Sequence, residues 1–158
     1  DTGDPHPELY VAAEGALADV AGEADVLHIV LRFEMTALRV LGHLPALRGC
    51  AACGRNLELK GRLLFGQLAG GLLCPSCRPG QRQVVSVTAQ AMKALQQFAA
   101  AESDLWRTAE LDASTRGEIR GLMGQYICNL LSHRPRMHDY LGLLSGPRGS
   151  EWGGQGCP

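Results

Sequence analysis

Two Cys-x-x-Cys pairs, Cys50-Ala51-Ala52-Cys53 and Cys74-Pro75-Ser76-Cys77, constrain this chain more than any other feature. Twenty residues separate them, a spacing close to that of four-cysteine zinc sites. Each pair can close as a tight knuckle with both thiolates pointing the same way, and two facing knuckles make a tetrahedron of sulfurs. Gly54, after the second thiolate, can supply without steric cost the unusual backbone angle such a knuckle often needs, and Pro75 stiffens the second one. Two disulfides would require an oxidising compartment, and no stretch resembles a secretory signal. A thioredoxin-like redox pair comes singly and beside a βαβ pattern, which the chain lacks. The reading is a tetrathiolate centre of Cys50, Cys53, Cys74 and Cys77, with one Zn2+ per chain favoured and iron the alternative. Four thiolates close the coordination sphere, so the ion is expected to be structural and to leave no position for a substrate.

The remainder of the chain reads as helix. Hydrophobic residues make up 46% of the 158 positions and aromatics only 5%, with Ala and Leu abundant, a balance that suits packed helices better than a β-sandwich. No uncharged apolar run reaches the about 20 residues that span a membrane. Pro7 opens a helix over 8–20, and a second over 24–44 carries Val26, Val30, Phe33, Ala37, Val40 and Leu44 on one face. Its other stripe, His28, Arg32, Thr36, Arg39 and His43, reads as a solvated polar face. Between the knuckles, Leu57, Leu59, Leu63 and Phe65 alternate with Glu58, Lys60 and Arg62, which predicts a short hairpin turned by Gly61. Helix is expected again over 85–101, with Ser86 or Thr88 as its cap and Ala91, Ala94, Leu95 and Phe98 on its apolar stripe. Thr115 and Glu118 form a capping-box signature for a last long helix. The expected fold class is therefore mainly α: a bundle of about four helices with an inserted zinc-finger module that holds a short β-hairpin. The helical domain covers 1–144, the module interrupts it at 47–79, and the Gly-, Pro- and Ser-rich stretch 145–158 reads as a flexible tail.

Charge is distributed unevenly along the chain. Residues 1–31 carry −7, residues 32–82 carry +6, and the rest is neutral, for a net −1. The positive charge gathers on and just before the cysteine module, where Arg48, Arg55, Lys60, Arg62, Arg78 and Arg82 are candidates for phosphate contacts. Among them only Phe65 offers an aromatic for base stacking, and the hairpin is expected to bury it. There is no Gly-rich phosphate loop and no nucleophile–base motif, so no catalytic residue is assigned and the chain is not expected to be an enzyme.

The run 32–54 supplies a resemblance. Phe33-Glu34, a Leu-rich helix, Leu41-Gly42, Pro45 and then Cys50-x-x-Cys53-Gly54 resemble the C-terminal domain of the RecO recombination mediators. Phe65, Gly70-Gly71 and the second knuckle continue the pattern, and Pro7-Glu8-Leu9-Tyr10 and the segment 126–144 are similar too. The resemblance implies a role in DNA repair and homologous recombination, cytoplasmic and nucleoid-associated in bacteria. It implies binding of single- and double-stranded DNA, strand annealing, and work with RecR and the single-stranded-DNA-binding protein to load RecA. That family also carries an N-terminal OB-fold, for which these residues hold no counterpart; with Asp1 in place of an initiator Met, the chain is expected to be a fragment or a processed product. Two other readings stay open: a zinc-stabilised protein-interaction adaptor that touches no nucleic acid, and a four-cysteine iron electron carrier.

Overall fold

Pro7 sits in the first turn of α1 (Pro7–Val20), where its missing N–H would have no helical partner in any case. A computed structural model describes residues 6–22 and 24–132; the expected last turns at 138–144 and the tail 145–158 lie outside them. Asp25 caps α2 (Val26–Val40), its carboxylate accepting from the Leu27 N–H at 2.9 Å. The helix ends earlier than the expected 44 because Gly42 takes φ +75°, the left-handed angle that closes a Schellman motif. In that motif the His43 N–H donates to the Leu38 carbonyl and the Gly42 N–H to the Arg39 carbonyl.

The described residues divide into two compact units, 6–44 with 97–109, and 45–96 with 110–132. In the first unit α1 packs on α2. The buried residues of α2 are Leu27, His28, Ile29, Leu31, Met35 and Leu38, not the expected Val26–Leu44 stripe, whose Val26 is exposed. Within it Leu27, Leu31, Met35 and Leu38 run at steps of three and four as the expected row does, so periodicity alone admits either. His28 is accordingly buried and meets the Phe98 ring edge-on at 5.3 Å, which corrects its reading as a solvated histidine. Arg32, expected on the polar stripe, donates to the Phe98, Ala100 and Ala101 carbonyls at 2.8, 2.6 and 2.7 Å. These groups lie at the end of α3 (Ala89–Ala99), where helical carbonyls lack partners. Arg32→Ala is therefore expected to cost about 2 kcal/mol, and Arg32→Lys to recover only part of it; thermal unfolding followed by circular dichroism checks both. Arg107 clasps both carboxylate oxygens of Asp19 at 3.0 Å while lying 4.3 Å over the buried Trp106 ring.

The second unit is built on a three-stranded antiparallel sheet in the order β2 (Gly71–Leu73), β1 (Arg62–Gly66), β3 (Val84–Thr88). Phe65 sits between Leu72 on one side and Val85 on the other. The hairpin thus turns at 67–70, not at Gly61, and 57–60 pair with neither strand. Leu57 packs instead beside Cys50, Leu73 and Cys74. Its alternation with Leu59 reports an extended chain with one side inward, which does not name a partner strand. The run Val84-Val85-Ser86-Val87-Thr88, rich in β-branched residues, forms β3 where helix was expected. Helix begins only at Ala89, with the Thr88 hydroxyl accepting from the Ala91 N–H at 3.2 Å.

Both faces of this sheet are covered. Phe65, Leu72 and Val87 are buried on one, with Phe65 edge-on to Tyr126 of α4 (Ala113–Leu131) at 6.0 Å. Leu64, Leu73 and Val84 turn the other way, toward the cysteines. Asp112 caps α4 by accepting from the Thr115 N–H at 2.7 Å, and that contact holds its carboxyl below the usual range. The expected Thr115–Glu118 box is not formed, because Glu118 is drawn to Thr88, accepting from its N–H at 3.0 Å and from its hydroxyl. Among the described residues four α-helices, about the number expected, thus stand with a three-stranded sheet where a short hairpin was expected.

Candidate metal centre

β2 is the spine of the cysteine site. On one edge it pairs with β1; on the other, the chain entering the first knuckle runs beside it. The Ala46 N–H donates to the Gly70 carbonyl at 2.8 Å, the Leu72 N–H to the Ala46 carbonyl at 2.9 Å, and the Ala51 N–H to the Leu72 carbonyl at 2.7 Å. The second knuckle follows β2 directly, so one three-residue strand positions both pairs. Gly71 makes this possible: at φ +155° it passes so close to Ala46 that a Cβ would stand 2.6 Å from the Ala46 nitrogen, oxygen and Cβ.

The first knuckle closes through the Gly54 N–H on the Cys50 carbonyl and the Cys50 N–H on the Arg55 carbonyl, both at 2.8 Å. Gly54 takes φ +73°, the angle its position called for. In the second, Pro75–Cys77 form a 3-10 turn and the Cys77 N–H donates to the Cys74 carbonyl at 3.0 Å. All four sulfurs lie within 4.8 Å of one another, and Cys53 and Cys74 are 3.8 Å apart, far outside a disulfide bond. A regular tetrahedron with a centre-to-sulfur distance of about 2.3 Å has an edge of about 3.8 Å, so the donors fit a thiolate-bound cation. Cys50 and Cys74 are buried, Cys77 is half-buried and Cys53 is exposed.

The ionisation of the cluster makes the same point. The backbone N–H of Cys74, with those of Cys53 and Ala52 behind it, draws the Cys50 thiol down to about 6 although burial opposes it. The thiols of Cys74 and Cys53 push Cys77 up to about 12. Four sulfurs this close do not ionise together unless a cation offsets their mutual repulsion.

All six basic residues singled out in the sequence belong to this unit and are exposed, but they are not equivalent. Arg62, though exposed, is engaged by its own protein: it donates to the Ser86 hydroxyl at 2.8 Å and carbonyl at 2.9 Å, and pairs with Glu118 at 3.8 Å. Ser86 and Thr88 face away from β1, because the Ala89–Gly61 and Gln67–Gln83 bonds fix the alternate residues as its partners. Arg62 and Glu118 therefore plug the outer edge of β3, a protective use of charge that no sequence pattern announces. Lys60 pairs with Glu58 at 2.9 Å, both largely exposed. Arg48, Arg55, Arg78 and Arg82 flank the two knuckles at exposed positions and take part in none of these ion pairs. Among the described residues no helix is long and apolar enough to cross a membrane.

The family model described as recombination protein O C terminal matches residues 1–139. The chain is 30% identical over 166 residues to the DNA repair protein RecO of Rhodopirellula baltica, covering 89% of this chain and 61% of that protein. It is 27% identical over 144 residues to the DNA repair protein RecO of Moorella thermoacetica, with 91% and 54% covered. To the DNA repair protein RecO of an Anaeromyxobacter species it is 35% identical over 121 residues, with 72% and 46% covered. The chain thus spans between about half and three-fifths of those lengths. No solved structure gives a significant match. Two opposed Cys-x-x-Cys knuckles on a small sheet, set among helices in a sequence that this model matches over most of its length, identify the chain as a member of the RecO C-terminal family.

Proposed function

We propose that this chain is the zinc-stabilised, DNA-contacting part of a DNA repair and homologous recombination mediator. The supporting observation is the juxtaposition of the four-cysteine centre with Arg48, Arg55, Arg78 and Arg82, in a chain that belongs to the RecO family. Soft thiolate donors in a closed tetrahedral set favour zinc, held by Cys50, Cys53, Cys74 and Cys77. When bound, the ion supplies rigidity and no chemistry. The protein is not an enzyme; it works by positioning strands and partners, assisting RecA loading on single-stranded DNA and strand annealing with RecR and the single-stranded-DNA-binding protein, in the bacterial cytoplasm. The four arginines contact phosphate, which is sequence-independent and weakened by salt. Phe65 is fully buried, so it is not available to stack on bases.

The test is the salt dependence of DNA binding by the zinc-loaded chain. Replacing Arg48, Arg55, Arg78 and Arg82 by Ala together is expected to lower affinity and to reduce the log–log salt slope on duplex DNA by about 3 to 4. Arg62→Ala is expected to leave that slope unchanged and to lower thermal stability, because its guanidinium is spent on Ser86 and Glu118. A parent chain with no salt-dependent affinity for DNA would favour the adaptor reading instead.

A further inference from the structure

The four sulfurs of the centre differ in how far solvent reaches them. Cys50 and Cys74 are each 2% exposed, whereas Cys53 is an exposed residue and Gly54 beside it has open space where a side chain would stand. An electrophile from solvent therefore meets Cys53 first. The sulfur waiting behind it is Cys74, 3.8 Å away on the opposite knuckle and fixed at the end of β2. A disulfide needs about 2.05 Å, so closure takes a movement of about 1.8 Å, within the freedom of an exposed side chain.

We propose that Cys53 is a peroxide-reactive site whose oxidised sulfur is resolved by Cys74 across the centre, forming a Cys53–Cys74 disulfide and releasing the metal. In the first step the Cys53 sulfur attacks the terminal oxygen of a hydroperoxide. An S–O bond forms and the O–O bond breaks; sulfur gives up two electrons, and the alkoxide or hydroxide that leaves takes a proton from water. In the second step the Cys74 sulfur attacks the Cys53 sulfur, the S–O bond breaks, and hydroxide leaves and is protonated to water. Two thiolates, one hydroperoxide and two protons thus yield one disulfide, one alcohol or water, and one further water. A cation left with Cys50 and Cys77 alone has lost half its donors. The bridge holds the two knuckles opposed across the same twenty-residue interval, so a thiol reductant and fresh metal restore the centre. Bridges inside each knuckle, Cys50–Cys53 and Cys74–Cys77, would let the knuckles separate.

The inference rests on the metal reading above, and its test separates the two. Metal content of the native chain is measured first; hydrogen peroxide is then added in sub-stoichiometric steps with a chromophoric zinc indicator present. A 1,3-dione probe traps sulfenic acid, and free thiols are alkylated before peptide mapping without reduction. Expected are metal loss in proportion to peroxide, first trapping at Cys53, a Cys53–Cys74 cross-link, and recovery of bound metal after reduction and zinc addition. A folded chain with no metal at the outset overturns both readings. A chain that holds metal and keeps it in peroxide, traps first at Cys77, or releases metal with bridges inside the knuckles overturns this one alone. Wild-type mapping needs no ligand variant, so misfolding of Cys53→Ser does not obscure the result.

Discussion

Removing the metal, by chelation or through Cys74→Ser, is expected to lower the midpoint of thermal unfolding by at least about 15 °C. The apolar cluster around the centre is small: Cys50, Leu73 and Cys74 are buried, with Leu57, Leu64, Ala69, Cys77 and Val84 only partly covered around them. Such a cluster does not offset the ordering entropy of two knuckles and the segment 46–61 between them and the sheet. A structural zinc ion contributes an apparent 10–16 kcal/mol, about as much as or more than the whole stability of a typical domain. Cys74→Ser also places a hydroxyl at a 2% exposed position, which adds the cost of burying a polar group in an apolar setting. Calorimetry of the zinc-loaded chain, the chelated chain and the variant provides the measurement. A chelated sample that melts within about 3 °C of the loaded one would mean that packing alone holds this unit.

Gly71→Ala is expected to be nearly as damaging, at more than about 4 kcal/mol, because two of the three clashing atoms are backbone. The new Cβ would lie 2.6 Å from three atoms of Ala46, and φ +155° is itself a conformation that side chains rarely adopt. No rotamer relieves this; Ala46 or β2 must move, and with it the 46–51 segment that carries Cys50. Zinc affinity is therefore expected to fall together with stability. Gly61→Ala is the control: its φ of +57° is also left-handed, but nothing stands within 4 Å of a Cβ there. Its cost is the conformational term alone, about 1–2 kcal/mol. Urea unfolding with a competing zinc indicator reads both quantities; equal effects of the two substitutions would contradict the close approach at Ala46.

Much of the centre is legible in the amino-acid sequence, and the reason is covalent. Two Cys-x-x-Cys pairs hold their sulfurs within a short chain of each other, so identity and spacing alone restrict what they do, down to the positive φ of Gly54. α1 is legible for a related reason, since Pro7 acts within one turn of its own position; Asp25 and Gly42 act as locally, yet the expected bounds 24–44 pass over both. What is not legible depends on a partner distant in sequence. The buried side of α2 differs from the expected one because two apolar rows compete on one helix, and the choice falls to what packs against it. β3 reads as helix in the sequence because its β-branched residues abut an Ala-rich run, and its ladder with β1 joins residues about 18 to 26 apart. Glu118, three residues after Thr115, has the spacing of a cap but bonds to Thr88, thirty positions earlier.

The basic residues show the same division within one function. Their number and their concentration around the cysteines follow from the sequence, since charge needs no geometry to be counted. Which of them remain available does not. Arg62 and Arg55 are alike in sequence and both exposed, yet Arg62 bonds to Ser86 and Glu118 at the edge of β3 while Arg55 stands at the rim of the first knuckle. The four-cysteine cluster, the helical character and the family pattern thus follow from the residues alone, all carried by local spacing and side-chain chemistry. That β2 is the spine of the site, that Gly71 allows the close pass and that Arg62 bonds to Ser86 and Glu118 are decided by tertiary contacts. Each of these joins segments whose separation along the chain leaves no local signature.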